Sequence, residues 1–244
     1  MTKDGRPSRI NDIRLFAGSA ANDLKGFEEQ VAFGRRLAWW LNGEGVSIGA
    51  HTALYVWFAD DISVGRVDPT DRWCDWWFRY AKIGVNASFP GIDAGTQIEE
   101  GIVAGLKAAA PALAETFDRG ARTVKAHGDK LRFLLKERET KRYKMEVSCT
   151  LAAGPTNSLL YVSLQDKASG LYYEAPPAEA ETIYFDTSYF AGLVKVRDLS
   201  ASIAAKASPA SQPVDVRQVG DLVWSLSDFK EAQRPETSGL INFR

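Results

Sequence analysis

The chain has 244 residues, 45% hydrophobic and 25% charged, with 30 Lys/Arg against 31 Asp/Glu and a formal net charge of −1. That is an ordinary globular composition, long enough for one large domain or two small ones. No run of 18 apolar residues exists, so no membrane-spanning helix is expected, and the polar start MTKDGRPSRINDIR lacks the apolar core of a secretory signal. Cys74 and Cys149 can form at most one bridge; without a signal they read as reduced thiols of a cytoplasmic chain.

Residues 1–12 read as a flexible lead-in. Ile13–Ala17 (IRLFA) is a short apolar run suited to a first strand. The stretch LFAGSAAND (15–23) has the look of a phosphate-approaching turn between strand and helix, on the strength of a single glycine. Residues 27–41 form a helix: Phe27, Val31, Ala38 and Leu41 fall on one stripe, with Phe33, Leu37 and Trp40 beside it. Asn42-Gly43 supplies the stop, and so broad an apolar surface implies burial on more than one side.

Ala53–Ala59 (ALYVWFA) is apolar throughout and suits a central strand covered on both faces. Trp73–Phe89 alternates and reads as one long strand or two in sequence, ended by Pro90-Gly91. Thr96-Gln97-Ile98-Glu99 has the form of a capping box. The helix it opens carries Ile98, Ile102, Leu106, Ala109, Leu113 and Phe117. Pro111 removes a backbone donor inside it and predicts a kink or a break and restart, with Gly120 as the end signal.

Thr123–Ala126 and Leu131–Lys136 read as strands joined by a hairpin turn at Gly128-Asp129; a helix over 121–138 is the competing reading, weakened by Gly128 in its middle. Met145, Val147, Cys149 and Leu151 alternate strictly with Lys144, Glu146, Ser148 and Thr150. A turn at 154–157 leads back along Leu159–Leu164, and Leu171–Ala175 makes a third strand. Residues 176–181 read as a loop, Thr182–Phe185 as a strand, 187–206 as a helix, 207–213 as a linker and Asp221–Leu226 as a late strand. The expected fold is α+β: a mostly antiparallel sheet of hairpins and meander, packed against two or three amphipathic helices. It forms a single domain over 13–229, with a loosely ordered tail over 230–244.

Charge is concentrated in one place. Between Arg119 and Lys144 stand ten Lys/Arg and three acids, a local net of +7. On a sheet, Lys130, Arg132 and Lys136 would project opposite the apolar residues of their strand. Arg122, Lys125, Arg138, Lys141, Arg142 and Lys144 would extend the basic surface, and Tyr143 would be placed to stack a base. The plain alternative is a solvated outer face, and no nucleic-acid signature accompanies the charge.

Other chemistry is thin. Asp60 and Asp61, with Asp68, Asp71 and Asp75 nearby, could hold Mg²⁺ at a strand end, although aspartates are common in turns. His51 and His127 are the only histidines. Trp39, Trp40, Trp57, Trp73, Trp76 and Trp77 read as core rather than a ligand cage, and the cysteines as buried, inert thiols. No dinucleotide, Walker, nucleophile-elbow or C-x-x-C motif is present. No residue is assigned to catalysis, a cofactor or a metal. Three functions remain: a non-enzymatic binding protein engaging nucleic acid or another anionic partner through 119–144; a protein-interaction partner, such as an inhibitor or assembly subunit, meeting an acidic protein; and a Mg²⁺-dependent nucleotide-processing enzyme using Asp60 and Asp61.

Overall fold

A computed structural model describes residues 7–70, 75–91, 94–180, 193–197, 200–204 and 222–242. The chain divides into two compact units, residues 1–130 with 241–244, and residues 131–240.

The first unit is built on a mixed sheet of β1 (Asp12–Ala17), β2 (Asn22–Asp23), β3 (Ala53–Ala59), β4 (Val67–Thr70) and β5 (Phe78–Gly84), in spatial order β2-β1-β3-β5-β4. β1, β3 and β5 are mutually parallel, while β2 and β4 close the edges antiparallel. The α+β class therefore holds, but this sheet is not antiparallel at its centre. Parallel neighbours need a crossover, and α1 (Glu28–Gly43) supplies it between β1 and β3. The stretch expected to approach a phosphate is instead the β1–β2 hairpin, pairing Phe16 with Asp23.

The period of two along each strand sorts residues into two sets. Ile13, Leu15, Leu54, Val56, Phe58, Ala81 and Ile83 are all buried, on the face that α1 and α2 (Ala94–Ala109) cover. Glycines let the helices sit close: a Cβ at Gly34 would lie 3.4 Å from Ile13 Cγ2, and one at Gly101 2.5 Å from Phe58 Cε1.

α2 begins two residues before Thr96, so no capping box forms there, and Glu99 pairs with Lys125 at 2.6 Å instead of reaching back. The break at Pro111 is real: a 3₁₀ turn at Pro111–Leu113 separates α2 from α3 (Ala114–His127). Gly120 does not end the helix. It lies mid-α3 where a Cβ would be 2.7 Å from the Trp40 ring, so it permits α3 to pack on α1. Buried between sheet and α3, α1 ends at Gly43, where the stop was expected, and Gly45 two residues on takes a φ of +77° that suits a residue without a side chain. Asn42 serves a different purpose: its Nδ2 donates to the Ile10 carbonyl at 2.8 Å and its Oδ1 accepts from the Asn242 N–H at 2.7 Å.

The second unit has no counterpart of these helices among the described residues. β6 (Arg132–Glu139), β7 (Tyr143–Cys149), β8 (Ser158–Asp166) and β9 (Tyr172–Glu174) form the expected antiparallel meander. β10 (Ala178–Ala180), within the segment read as a loop, pairs with β8. β11 (Leu193–Arg197), β12 (Ser200–Ala204) and β13 (Leu222–Ser225) make a separate antiparallel sheet. The helix expected over 187–206 is thus replaced, in its described part, by two paired strands; Thr182–Phe185 and 207–213 lie outside the described residues. β14 (Lys230–Glu231) joins β9 and β15 (Thr237–Leu240) runs parallel to β6, so residues read as a tail contribute two strands.

Candidate functional site

The hairpin expected at 123–136 does not form. Thr123–Ala126 belongs to α3 in the first unit, and the chain re-enters a sheet only at Arg132. The basic stretch is therefore divided. Arg119, Arg122 and Lys125 lie on a helix and Lys130 in the 3₁₀ turn after it, while the cations from Arg132 onward lie in the second unit.

Within β6 the one-faced arrangement fails as well. The pairing steps from Leu134 opposite Ser148 to Lys136 opposite Val147, leaving Leu135 as an extra residue. Such a bulge reverses the alternation beyond it. Arg132 shares a face with Leu134 and Ser148, whereas Lys136 and Arg138 share the face of Val147 and Met145.

Five of the ten cations form ion pairs among the described residues, four of them with acids from distant parts of the sequence. Arg119 bonds Glu44 at 3.0 Å, Arg142 bonds Asp166 at 3.1 Å, and Lys144 lies 2.6 Å from Glu137 and 3.0 Å from Glu146. Arg132 grips Glu174 with both terminal nitrogens while its guanidinium lies 3.6 Å over the Tyr161 ring, the forked, stacked geometry arginine favours. The Arg142 guanidinium sits 4.9 Å over Tyr143, covering the ring expected to stack a base. Bonds from the Ala168 and Ser169 N–H groups, and then Arg142, hold the Asp166 carboxyl below its usual range; the bond to Glu137 raises Lys144. Arg122, Lys130 and Lys141 are exposed, with no ion-pair partner among the described residues.

A different surface gathers chemistry that the sequence reading assigned to the core. On the face of the first sheet away from α1 and α2, cross-strand pairing sets up two rows: Asp23–Phe16–Trp57–Lys82–Asp68, and Arg14–Tyr55–Tyr80–Thr70. Phe78 follows on β5 and Trp77 precedes it. The six rings touch: Tyr55 stacks on Phe78 at 4.2 Å and 12°, and meets Phe16 at 5.1 Å, Tyr80 at 5.5 Å and Trp77 at 5.6 Å, while Trp57 meets Tyr80 at 5.9 Å. Tyr55, at the centre, is buried, and that burial pushes its hydroxyl up to about 12. The rings around it are partly exposed, and Trp76, beside Trp77, is 82% exposed.

The tryptophans are therefore of two kinds. Trp39 and Trp40 are buried on α1, whereas Trp57, Trp76 and Trp77 belong to this face or its border; Trp73 lies outside the described residues. The signal was available in ALYVWFA, whose alternate positions Tyr55 and Trp57 are the ones with polar ring atoms. Trp57 uses its own, donating from Nε1 to the Gly18 carbonyl at 2.7 Å.

Both cations on the face are held by a ring and a carboxylate together. Lys82 Nζ lies 4.2 Å over Trp57 and 2.5 Å from Asp61. The Arg14 guanidinium lies over Tyr55 and Trp77 at 5.6 and 5.9 Å, with Nε 2.7 Å from Asp12. Asp61 is thus engaged with a lysine, and Asp60 is exposed. Among the described residues no group of three or more His, Cys, Asp or Glu is placed to hold a metal ion. His51 is half-buried before β3, His127 is exposed at the end of α3, and Cys149 is a buried thiol; Cys74 lies outside the described residues. No helix among the described residues is long and apolar enough to cross a membrane. No family model matches the chain, and neither a curated protein nor a solved structure matches it.

Proposed function

We propose that the chain is a binding protein that docks a protein partner on the aromatic face of its first sheet. The observation that carries this reading is the face itself: six rings in mutual contact on the side away from the helices, bordered by the 82% exposed Trp76. Binding energy in protein interfaces concentrates on Trp, Tyr and Arg set in a surface with few uncompensated charges, and here Arg14 and Lys82 are each matched by a carboxylate. A single-stranded nucleic acid would use stacking rings together with an uncompensated positive groove. The first unit instead has 17 Lys/Arg against 17 Asp/Glu. The pairing of Arg119, Lys125, Arg132, Arg142 and Lys144 likewise compensates half of the ten cations in 119–144.

The test is co-purification with the tagged full chain from the cell that makes it, with and without nuclease. A stoichiometric protein partner is expected with the wild type and with the Lys130→Glu/Lys141→Glu chain. It is expected to be lost with Tyr80→Ser, and with Trp76→Ala, whose exposed side chain leaves folding intact. Retention unchanged in both ring variants, loss only in the lysine variant, or nuclease-sensitive polynucleotide in place of protein overturns the proposal.

A further inference from the structure

Resting on the reading of this face as the docking surface, we infer that the segment it takes is basic, an arginine or lysine of the partner lying over Phe16 and pairing with Asp23. The face holds a cation in the same way twice. Lys82 sits over Trp57 against Asp61, and Arg14 over Tyr55 and Trp77 against Asp12. A ring offers the negative face of its quadrupole and a carboxylate offers a charge-assisted bond, so the pair selects a cation over a neutral group.

The third instance of that pairing is at the other end of the same row. Asp23 stands directly across from Phe16 on the edge strand β2, exposed, with no cation within ion-pair distance among the described residues. The row and its immediate partners carry Asp23, Asp61 and Asp68 against Lys82 and Arg66, the last 3.9 Å from Asp68. An incoming cation meets a net acidic edge, and an incoming carboxylate is repelled. This is the reverse of the partner implied by the charge of 119–144.

Calorimetric titration of the full chain with three short peptides, alternating Gly with Arg, Glu or Gln, tests the inference. The Arg peptide is expected to bind, to weaken as salt is added, and to lose about tenfold in affinity in Asp23→Asn, while Asp129→Asn, in the turn after α3, changes nothing. The Glu and Gln peptides are expected not to bind. Equal affinity for the Arg and Gln peptides, indifference to Asp23→Asn, or no binding of the Arg peptide overturns it. If the Arg peptide fails but Trp76→Ala still releases the protein partner, the docking reading stands and only the basic character of the segment falls. If the ring variants also leave partner retention unchanged, both fall.

Discussion

Between Arg119 and Lys144 the chain gathers ten cations, and on one face of the first sheet it gathers six rings. Folding treats the two features in opposite ways. The cations are split between a helix and a sheet and turned to opposite faces by a bulge, and four of them, Arg119, Lys125, Arg132 and Arg142, pair with carboxylates distant in sequence; Arg119 and Glu44 are 75 positions apart. Five of the rings come from three strands and Trp77 from just before β5; they are brought into one contact network, and those around the buried Tyr55 are left partly exposed. A charge recruits compensation from anywhere in the fold, because opposite charges attract over a distance. A ring can be hidden only by packing, and leaving apolar area in water costs roughly 25 cal/mol per Å². A dense charge in sequence is therefore weak evidence for a binding surface, and a ring cluster left on an uncovered sheet face is stronger evidence.

The largest expected effect separates the helix-covered face of the first sheet from the border of its open face. Phe58→Ala, on the helix-covered side of β3, should cost about 3 kcal/mol in urea unfolding, whereas Trp76→Ala at the border of the open face should stay within about 0.5 kcal/mol while releasing the partner. Equal costs for the two would erase the distinction.

Next in size is the test of whether the basic stretch has a structural role. Arg132→Ala strands the half-buried Glu174 and uncovers Tyr161, and should lower stability by about 2 kcal/mol. Lys141→Ala should change it by less than about 0.5 kcal/mol. A loss of polyanion affinity without a loss of stability in Arg132→Ala would return that residue to a binding role.

A spectroscopic effect follows. Tyr55 carries its proton up to a pH of about 12 because burial among the other rings disfavours the phenolate. A folded-state pKa above the unfolded value of about 10 means its contribution to stability is intact below pH 10 and is lost as pH rises through 12. Alkaline absorbance titration should show a late step missing in Tyr55→Phe; a Tyr55 that titrates near 10 would mean the centre of the face is wet.

The smallest effect belongs to Asp166 in the second unit. Its carboxyl is held low by the Ala168 and Ser169 amides and by Arg142, so its contribution is present above the ordinary carboxylate range and fades as pH falls through the lowered value. Asp166→Asn should flatten the acid limb of the stability profile slightly, and an unchanged limb would remove that assignment.

The elements were more legible in the sequence than their faces. β3, β7, β8 and the break at Pro111 follow from composition, strict alternation and a missing N–H. The covered side of β3 was hidden because Leu54, Val56 and Phe58 and their alternates Tyr55 and Trp57 all count as apolar, and a continuous apolar run reads as buried twice. α3 was cut short because Gly120 looked like a stop; in fact Phe117, Gly120 and Val124 share the buried side of one helix, and the glycine is there for Trp40. The register of β6 went astray at Leu134-Leu135, two apolar residues in succession, which was the visible trace of the bulge. The ion pairs were out of reach, because Glu44, Glu99, Asp166 and Glu174 meet their partners only through tertiary structure.

Hydroxyl-radical footprinting of the free chain, read residue by residue, tests the central claim most directly. Trp76, Trp77, Trp57 and Tyr80 are expected to oxidise well ahead of Trp39 and Trp40, and to become protected when the partner is bound. Rings on this face as slow to oxidise as Trp39 in the free chain would show the face to be covered, and would contradict the account.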